Sequence, residues 1–420
     1  MQKVIFHIDV NSAFLSWEAV YRLFHRGGML DLREIPSAVG GDISLRHGII
    51  LAKSIPAKAY GIKTGETIPE AKRKCPGLVL VPPNYSLYEQ CSGAFMDILR
   101  EYSDVVEQYS IDEAFIDMTA ACHLFGTPEN AATQLKDRIR DELGFTVNVG
   151  VSSNKLLAKM ASDFQKPDRV HTLYPEEIPQ KMWPLPVSEL IFVGRATAKK
   201  LFSMGIRTIG ELASADPAWV GSILKKHGEV IWGFANGMDL SPVLEAPAPN
   251  KGYGNSTTLP RDLTDREEAD RVLLALAETV AARLRADHVQ AEVVSVGIRY
   301  YDLSYVSHQK VLSTSTNLTV EICSAARELF AERWDHRPVR LLGVHTGRVR
   351  RTGFSRQMNL FVETDYEKLE ALDRTVDAIR ERYGCDAVMR AVFLNQPIDH
   401  MSGGISREKR MIDYDKIAVL

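Results

Sequence analysis

The chain has 420 residues, 45% apolar and 25% charged, and its 51 basic and 54 acidic side chains leave a formal charge of -3. At roughly 100 to 200 residues per domain this length builds two to four packed units, and the near-neutral balance argues at first against a nucleic-acid partner. The apolar runs fall short of the ~18 residues that a membrane span needs, and MQKVIFHIDV reads as a buried strand rather than a cleavable signal, so the expectation is a cytoplasmic protein with no membrane partner.

In chain order, Val4, Ile5, Phe6 and Ile8 form a short apolar run ending at Asp9, which predicts a strand buried on both faces. Asn11 or Ser12 then caps a helix whose apolar positions Phe14, Trp17, Val20, Leu23 and Phe24 recur at helical spacing until Gly27 and Gly28 stop it. Residues 30–78 read as a small irregular unit, with a turn and strand in GGDISLRHGIILAK and a short basic helix in PEAKRKCP. VVEQYSIDEAFIDMT predicts a hairpin with Asp112 and Glu113 near its junction. Thr127-Pro128 opens a helix that Gly144 closes, followed by the strand FTVNVGVS and the helix NKLLAKMASDF, which ends before Pro167. Together these make a βαββαβ-like set, interrupted after its first helix by the small unit.

After Pro167 the text turns to short helices. PVSELIFVGRATAKKLFSMGIRTIGELA has the outline of a helix-hairpin-helix, whose backbone amides around Val193 to Ala196, at Gly194 and Arg195, can take a phosphate while Lys199 and Lys200 supply charge. SPVLEAPAPNKG reads as a linker. Beyond it a second sheet-and-helix domain is expected, with helices near 265–286 and 320–334 and strands in VVSVGIRYY, KVLSTSTNL and VRLLGVHTGRV. The last 70 residues hold QMNLF and one amphipathic helix carrying Leu369, Leu372, Val376 and Ile379. The five cysteines, Cys75, Cys91, Cys122, Cys323 and Cys385, are scattered without a CxxC pair, so buried free thiols are expected rather than a disulfide framework or a thiolate metal site.

Three carboxylates carry the chemistry: Asp9 at a strand end, and Asp112 and Glu113 in the hairpin. If the first strand lies beside that hairpin, the three converge on one edge, where they repel one another unless a cation neutralises them. Mg²⁺ suits such hard oxygen ligands, and two ions about 4 Å apart form the clamp used for in-line phosphoryl displacement.

The runs HIDVNSAF, AKAYGIKTGE, YSIDEAFIDMT, VGVSSNKLLAKMASDFQKP and TAKKLFSMGIRTIGELA, in this order, resemble the Y-family translesion DNA polymerases over roughly residues 1–350. DVN after the first strand, and AKAYG where many relatives carry arginine, lean toward the UmuC-like branch. The resemblance implies an α+β right hand with a ferredoxin-like palm (1–18 and 79–166), small fingers (19–78), a helix-hairpin-helix thumb (167–240), a linker (241–250), an α/β little finger (251–350) and a tail (351–420). It implies template-directed, low-fidelity DNA synthesis without proofreading, in damage tolerance and mutagenesis. Asp9, Asp112 and Glu113 would hold two Mg²⁺ ions with the Val10 carbonyl. Ser12, Phe14, Lys58 and Lys166 would meet the dNTP, Phe14 as a steric gate against the ribose 2′-hydroxyl. Gly194, Arg195, Lys199, Lys200, Arg348 and Arg350 would meet primer-template DNA, and Gln357, Leu360 and Phe361 of QMNLF a sliding clamp, with the chain itself monomeric. Ile55 and Lys58 stand where relatives often show tyrosine and arginine, which removes a hydroxyl and a bidentate guanidinium. Two other readings are a palm-fold nucleotide cyclase, which has no use for duplex grips, and a non-catalytic DNA-binding relative, which would be expected to have lost a carboxylate.

Overall fold

The computed structural model describes residues 3–41, 48–246, 248–351, 365–395 and 400–401. Contacts divide the chain into two compact units, the first mostly Met1–Gly40 with Ile50–Pro247, the second mostly Ala248–Ile412.

The first unit opens with β1 (Ile5–Val10), buried along its whole length. α1 (Ala13–His25) follows, but neither expected cap works through its side chain. Ser12 sits in the left-handed region at φ 50° with no side-chain capping bond, and the Asn11 amide donates to Thr146 Oγ1 instead. β2 (Ser37–Gly40) and β3 (Ile50–Lys53) lead to α2 (Ile55–Ala59) and α3 (Ile68–Lys74). These two short helices are stabilised by Ser54 and Thr67, whose hydroxyls accept amide hydrogens, and by a proline in the first turn. β4 (Val79–Val81) completes a small sheet in the order β3-β2-β4, more regular than the sequence reading of residues 30–78.

α4 (Tyr85–Arg100), β5 (Val106–Gln108), β6 (Glu113–Asp117), α5 (Pro128–Leu143), β7 (Val147–Ser152), α6 (Lys155–Ser162) and β8 (Val170–Thr172) complete the main sheet, in the order β5-β6-β1-β7-β8. Only the β7–β8 pair in it is parallel. This contains the expected βαββαβ set, with α4 and β8 added. One face, with Phe6, Ile8 and Val10, packs residues of α1, α4 and α5. On the other face lies α6, whose Leu156, Leu157, Met160 and Ala161 share a core with the helices that follow. Those are α7 (Ile178–Lys181), α8 (Arg195–Ser203), α9 (Ile209–Ala213), α10 (Pro217–Leu224) and α11 (Lys226–Ala235). The first helix expected in PVSEL is only one 3-10 turn, Val187–Glu189. Pro184 and Pro186 remove two amide donors ahead of it, and Leu190 returns to extended backbone.

The second unit comprises β9 (Gly252–Leu263), α12 (Arg266–Ala286), β10 (Val289–Tyr300), β11 (Tyr305–Thr316), α13 (Thr319–Arg333), β12 (Val339–Arg351) and α14 (Tyr366–Tyr383). Its antiparallel sheet runs β11-β10-β12-β9, and α12 and α13 supply much of the core against Val294, Val296, Ile298, Leu342 and Val344. β9 escaped the sequence reading because GYGNSTTLPRDL buries apolar side chains only at Tyr253, Leu259 and Leu263. α14 departs from its expected amphipathic role. Its buried residues are Asp373 and Arg380, while Leu372 is 52% exposed. It docks through charge: Arg285 pairs with Asp373 at 3.0 Å and Asp377 at 2.5 Å, and buried Glu278 takes Arg380 at 2.9 Å and also pairs with Arg390. All five cysteines are free.

Candidate active site

β1 lies between β6 and β7, with Asp9 directly opposite Glu113 on one side and Asn148 on the other. Because side chains alternate along a strand, Phe6, Ile8 and Val10 enter the core while His7 and Asp9 share the opposite face. The hairpin is tied to the end of β1 by the Val10 amide, which donates to the Asp112 carbonyl at 3.0 Å. At this edge opens a cavity of about 560 Å³, lined by Asp9, Val10, Ser12, Phe14, Lys58, Asp112, Glu113 and Lys166. Every catalytic, metal and nucleotide residue expected from sequence therefore faces one space. Lys53, Ser54, Ile55 and Thr64 line it too.

The three carboxylates share the cavity without forming a cluster of three ligands; among the described residues no group of three or more His, Cys, Asp or Glu converges at ligand spacing. Each has a partner of its own. Lys166 Nζ donates to Asp9 Oδ2 at 2.5 Å, Lys159 Nζ to Glu113 Oε2 at 2.8 Å, and Ser110 Oγ to Asp112 Oδ1 at 2.7 Å. Glu113 adds repulsion at Asp9, and in this arrangement each acid takes the positive charge or donor nearest to it. Burial pushes the Asp9 carboxyl up to about 6; Lys166 pulls it back, and Glu113 and Asp163 add to the rise. Burial would lower the Lys166 pKa, yet Asp9 and Asp163 outweigh it and hold the ammonium above its usual value. Lys53, missed in the sequence reading, is pulled down by burial and then by Lys58, and its Nζ donates to Thr64 Oγ1 at 3.1 Å. The signal was present: LAKSIPAK places two lysines five residues apart across a proline-bearing helix start.

Phe14 stands on the first turn of α1, half-buried, stacked on Tyr88 at 4.4 Å and 10°, with Tyr85 edge-on at 6.0 Å. Tyr88 is itself fully buried and its hydroxyl donates to Glu18 Oε1 at 3.1 Å, so the ring against the cavity has a fixed backing. The Ser12 hydroxyl makes no capping bond to α1 and lines the same wall.

The remaining sequence candidates lie elsewhere. Gly194 is the N-cap of α8, with no side-chain cap, and Gly194, Arg195 and Lys199 line a surface depression together; Lys200 is exposed but outside it. Arg348 and Arg350 are exposed on β12, where Arg350 pairs with Glu292 at 2.7 Å. Gln357, Leu360 and Phe361 fall outside the described residues. No helix among the described residues is long and apolar enough to cross a membrane.

Known proteins share the sequence and the fold of this chain. Residues 8–163 match the impB/mucB/samB family, residues 250–360 its C-terminal domain, and residues 175–206 the helix-hairpin-helix motif of the same family. The chain is 45% identical over 396 residues to DNA polymerase IV of Clostridium acetobutylicum, covering 94% of this chain and 99% of that one. It is 41% identical to DNA polymerase IV of Acetivibrio thermocellus (94% and 98% covered) and 37% identical to DNA polymerase IV 1 of Bacillus subtilis (94% of each). These names lend no support to the UmuC-like lean. A solved Y-family DNA polymerase chimera superposes with a TM-score of 0.69 at 22% identity, covering 83% of this chain and 99% of the chimera.

Proposed function

The chain belongs to the Y-family of translesion DNA polymerases and is a DNA-directed DNA polymerase, and from this premise we propose that primer extension takes place in the cavity at the end of β1, with Asp9, Asp112 and Glu113 as its metal-holding carboxylates. The observation that carries the assignment is the register: Asp9 and Glu113 are directly opposed at the wall of a cavity that Asp112 also lines.

The donor set fits a hard divalent cation. It offers carboxylate and backbone oxygens without sulfur, and burial of Asp9 disfavours its charge until a cation is near. Two Mg²⁺ bound there would lower the pKa of the primer 3′-hydroxyl and neutralise the triphosphate and departing pyrophosphate. The residues of the chain then supply position and charge. Asp9, Asp112, Glu113 and the Val10 carbonyl hold the cations. Lys166, once off Asp9, and Lys58 on α2 meet triphosphate oxygens as compact point charges. Phe14, braced by Tyr88, closes the space that a 2′-hydroxyl would need, and Ser12 offers a hydroxyl to the nucleotide. The apolar Ile55 side chain and the single ammonium of Lys58 leave the triphosphate without a hydroxyl or a bidentate grip on that side.

Gly194, Arg195, Lys199 and Lys200 grip one stretch of primer-template phosphate through the N-terminus of α8 and its lysines, and Arg348 and Arg350 another. Gln357, Leu360 and Phe361 dock the chain on a sliding clamp, raising the effective concentration of a weakly gripping enzyme. We place this monomeric enzyme in the cytoplasm, in damage tolerance and the SOS response, leaving its errors uncorrected. A nucleotide cyclase and a non-catalytic relative are not favoured, because the helix-hairpin-helix and all three carboxylates are present. Asp112→Ala is expected to abolish Mg²⁺-dependent primer extension while primer-template binding, measured by fluorescence anisotropy, persists. Extension at the parent rate would overturn the metal assignment.

A further inference from the structure

Behind Glu113 lies a ring of hydrogen bonds that the roles above do not use. His7 and Ser162 are fully buried, on the β1 face that carries Asp9 and on α6. Ser162 has one hydroxyl hydrogen, and it is donated to the Lys159 carbonyl at 2.8 Å. Its oxygen can therefore only accept from His7 Nδ1, which lies 2.8 Å away, so Nδ1 carries the hydrogen. In the neutral imidazole Nε2 is then an acceptor, and Lys159 Nζ stands 3.3 Å from it. The same ammonium donates to Glu113 Oε2 at 2.8 Å and lies 5.0 Å from the centre of the Tyr109 ring. Phe115, opposite His7 in the register, packs on the imidazole at 4.6 Å.

Lys159 and Lys166 thus differ in kind. Lys166, 32% exposed, holds Asp9 and Asp163 and has solvent into which to move. Lys159, 16% exposed, is held by a carboxylate, an imidazole and an aromatic face, and its helix is fixed by Ser162. Its bond occupies Oε2 of Glu113 and leaves Oε1 as the oxygen a cation can take.

We propose that His7, acting through Lys159, is a positioning residue for nucleotidyl transfer: the imidazole fixes the ammonium, and the ammonium fixes the Glu113 carboxylate in the orientation that binds the divalent cation. The inference rests on the reading of Glu113 as a metal-holding carboxylate. Outer groups that orient a metal-holding side chain change metal affinity or activity by about 10- to 100-fold when removed, and His7, one hydrogen bond further back than Lys159, belongs at the lower end.

The test uses the full chain without DNA, titrated with Mn²⁺ and followed by electron paramagnetic resonance, alongside steady-state primer extension. His7→Leu, which keeps apolar volume but removes the acceptor, is expected to weaken Mn²⁺ binding about tenfold and to lower kcat by a similar factor with KM for dNTP unchanged. His7→Gln, whose amide oxygen can again accept from Lys159, restores both. Where His7→Leu fails to fold, Ser162→Ala takes its place, because it removes the acceptor that fixes the tautomer. Parent Mn²⁺ affinity and kcat in a folded variant, or a change in KM alone, overturn the proposal. Asp9→Asn and Glu113→Gln separate the two levels. If Mn²⁺ binding survives them as well, the metal reading falls and this inference with it; if they abolish binding while His7→Leu leaves it intact, this inference alone falls.

Discussion

Asp9 is a buried acid without an apolar reason to be there, and its environment makes its cost visible. Its carboxyl is raised to about 6 against 3.8 in an unfolded chain, first by desolvation. A raised carboxylate pKa is a penalty that is fully present above about pH 6 and is relieved as pH falls from there toward 3.8. Asp9→Asn is therefore expected to stabilise the metal-free protein at pH 7.5 by on the order of 1–2 kcal/mol, a gain that vanishes near pH 4 and is read by thermal melting in a chelator, while primer extension is lost. Equal melting temperatures at both pH values would contradict the burial argument. At Phe14 the expected readout is sugar choice. Phe14→Ala should admit ribonucleotides in primer extension, at a stability cost of about 2 kcal/mol, because the ring is only half-buried against Tyr88. Unchanged discrimination against ribonucleotides would remove the gate.

At the scale of elements, the site depends on how closely α6 lies on the sheet. Gly150 of β7 is the cross-strand neighbour of His7, and a Cβ there would stand 1.9 Å from the Ala158 carbonyl oxygen and 2.5 Å from the Ser162 amide. Only a residue without a side chain lets α6 descend far enough for Ser162 and Lys159 to reach His7. Both obstructing atoms are backbone, so nothing can swing aside. Gly150→Ala should cost about 3 kcal/mol or more in chemical denaturation and reduce extension with it; a variant as stable as the parent would show that α6 can shift without consequence. α14 makes a contrasting case. It holds to α12 and α13 by buried ion pairs to Glu278 and Arg285 and by the Thr319 amide on Asp373, so its attachment depends on all partners being present together.

Across the whole molecule, the charge that argued against nucleic acid proves to be a matter of distribution. Residues 244–350 contain 14 basic and 14 acidic side chains, and some of the basic ones are spent internally, Lys310 on Glu328 and Arg337 on Asp335. Exposed arginine on β12 is available to meet phosphate, and the affinity expected from it is modest and salt-sensitive. Arg348→Ala is expected to weaken primer-template binding at all sequences and to reduce the slope of log affinity against log salt by about one, measured by anisotropy between 50 and 200 mM salt. An unchanged slope would take Arg348 out of the phosphate contacts.

Some of this was legible in the residues alone. The apolar run ending at Asp9, the Thr127-Pro128 start and Gly144 stop of α5, and the blocks around Asp112, Glu113 and Lys166 follow from local rules of burial, capping and spacing, and local rules are written in contiguous sequence. What the sequence could not state is which carboxylate faces which lysine. His7, Lys159, Ser162 and Gly150 meet only because β1, β7 and α6 stack in one order, and Lys53 joins the cavity only because β3, which it ends, packs through Leu51 and Ala52 against Leu15 and Ala19 of α1. The same limit hid β9, whose strand is held by β12 rather than by its own apolar pattern, and misjudged α14, whose apolar stripe yields to buried ion pairs. Sequence determined the chemistry available at the end of β1; only tertiary packing decided the partners of each charge, because electrostatic energy depends on distances that no single segment sets.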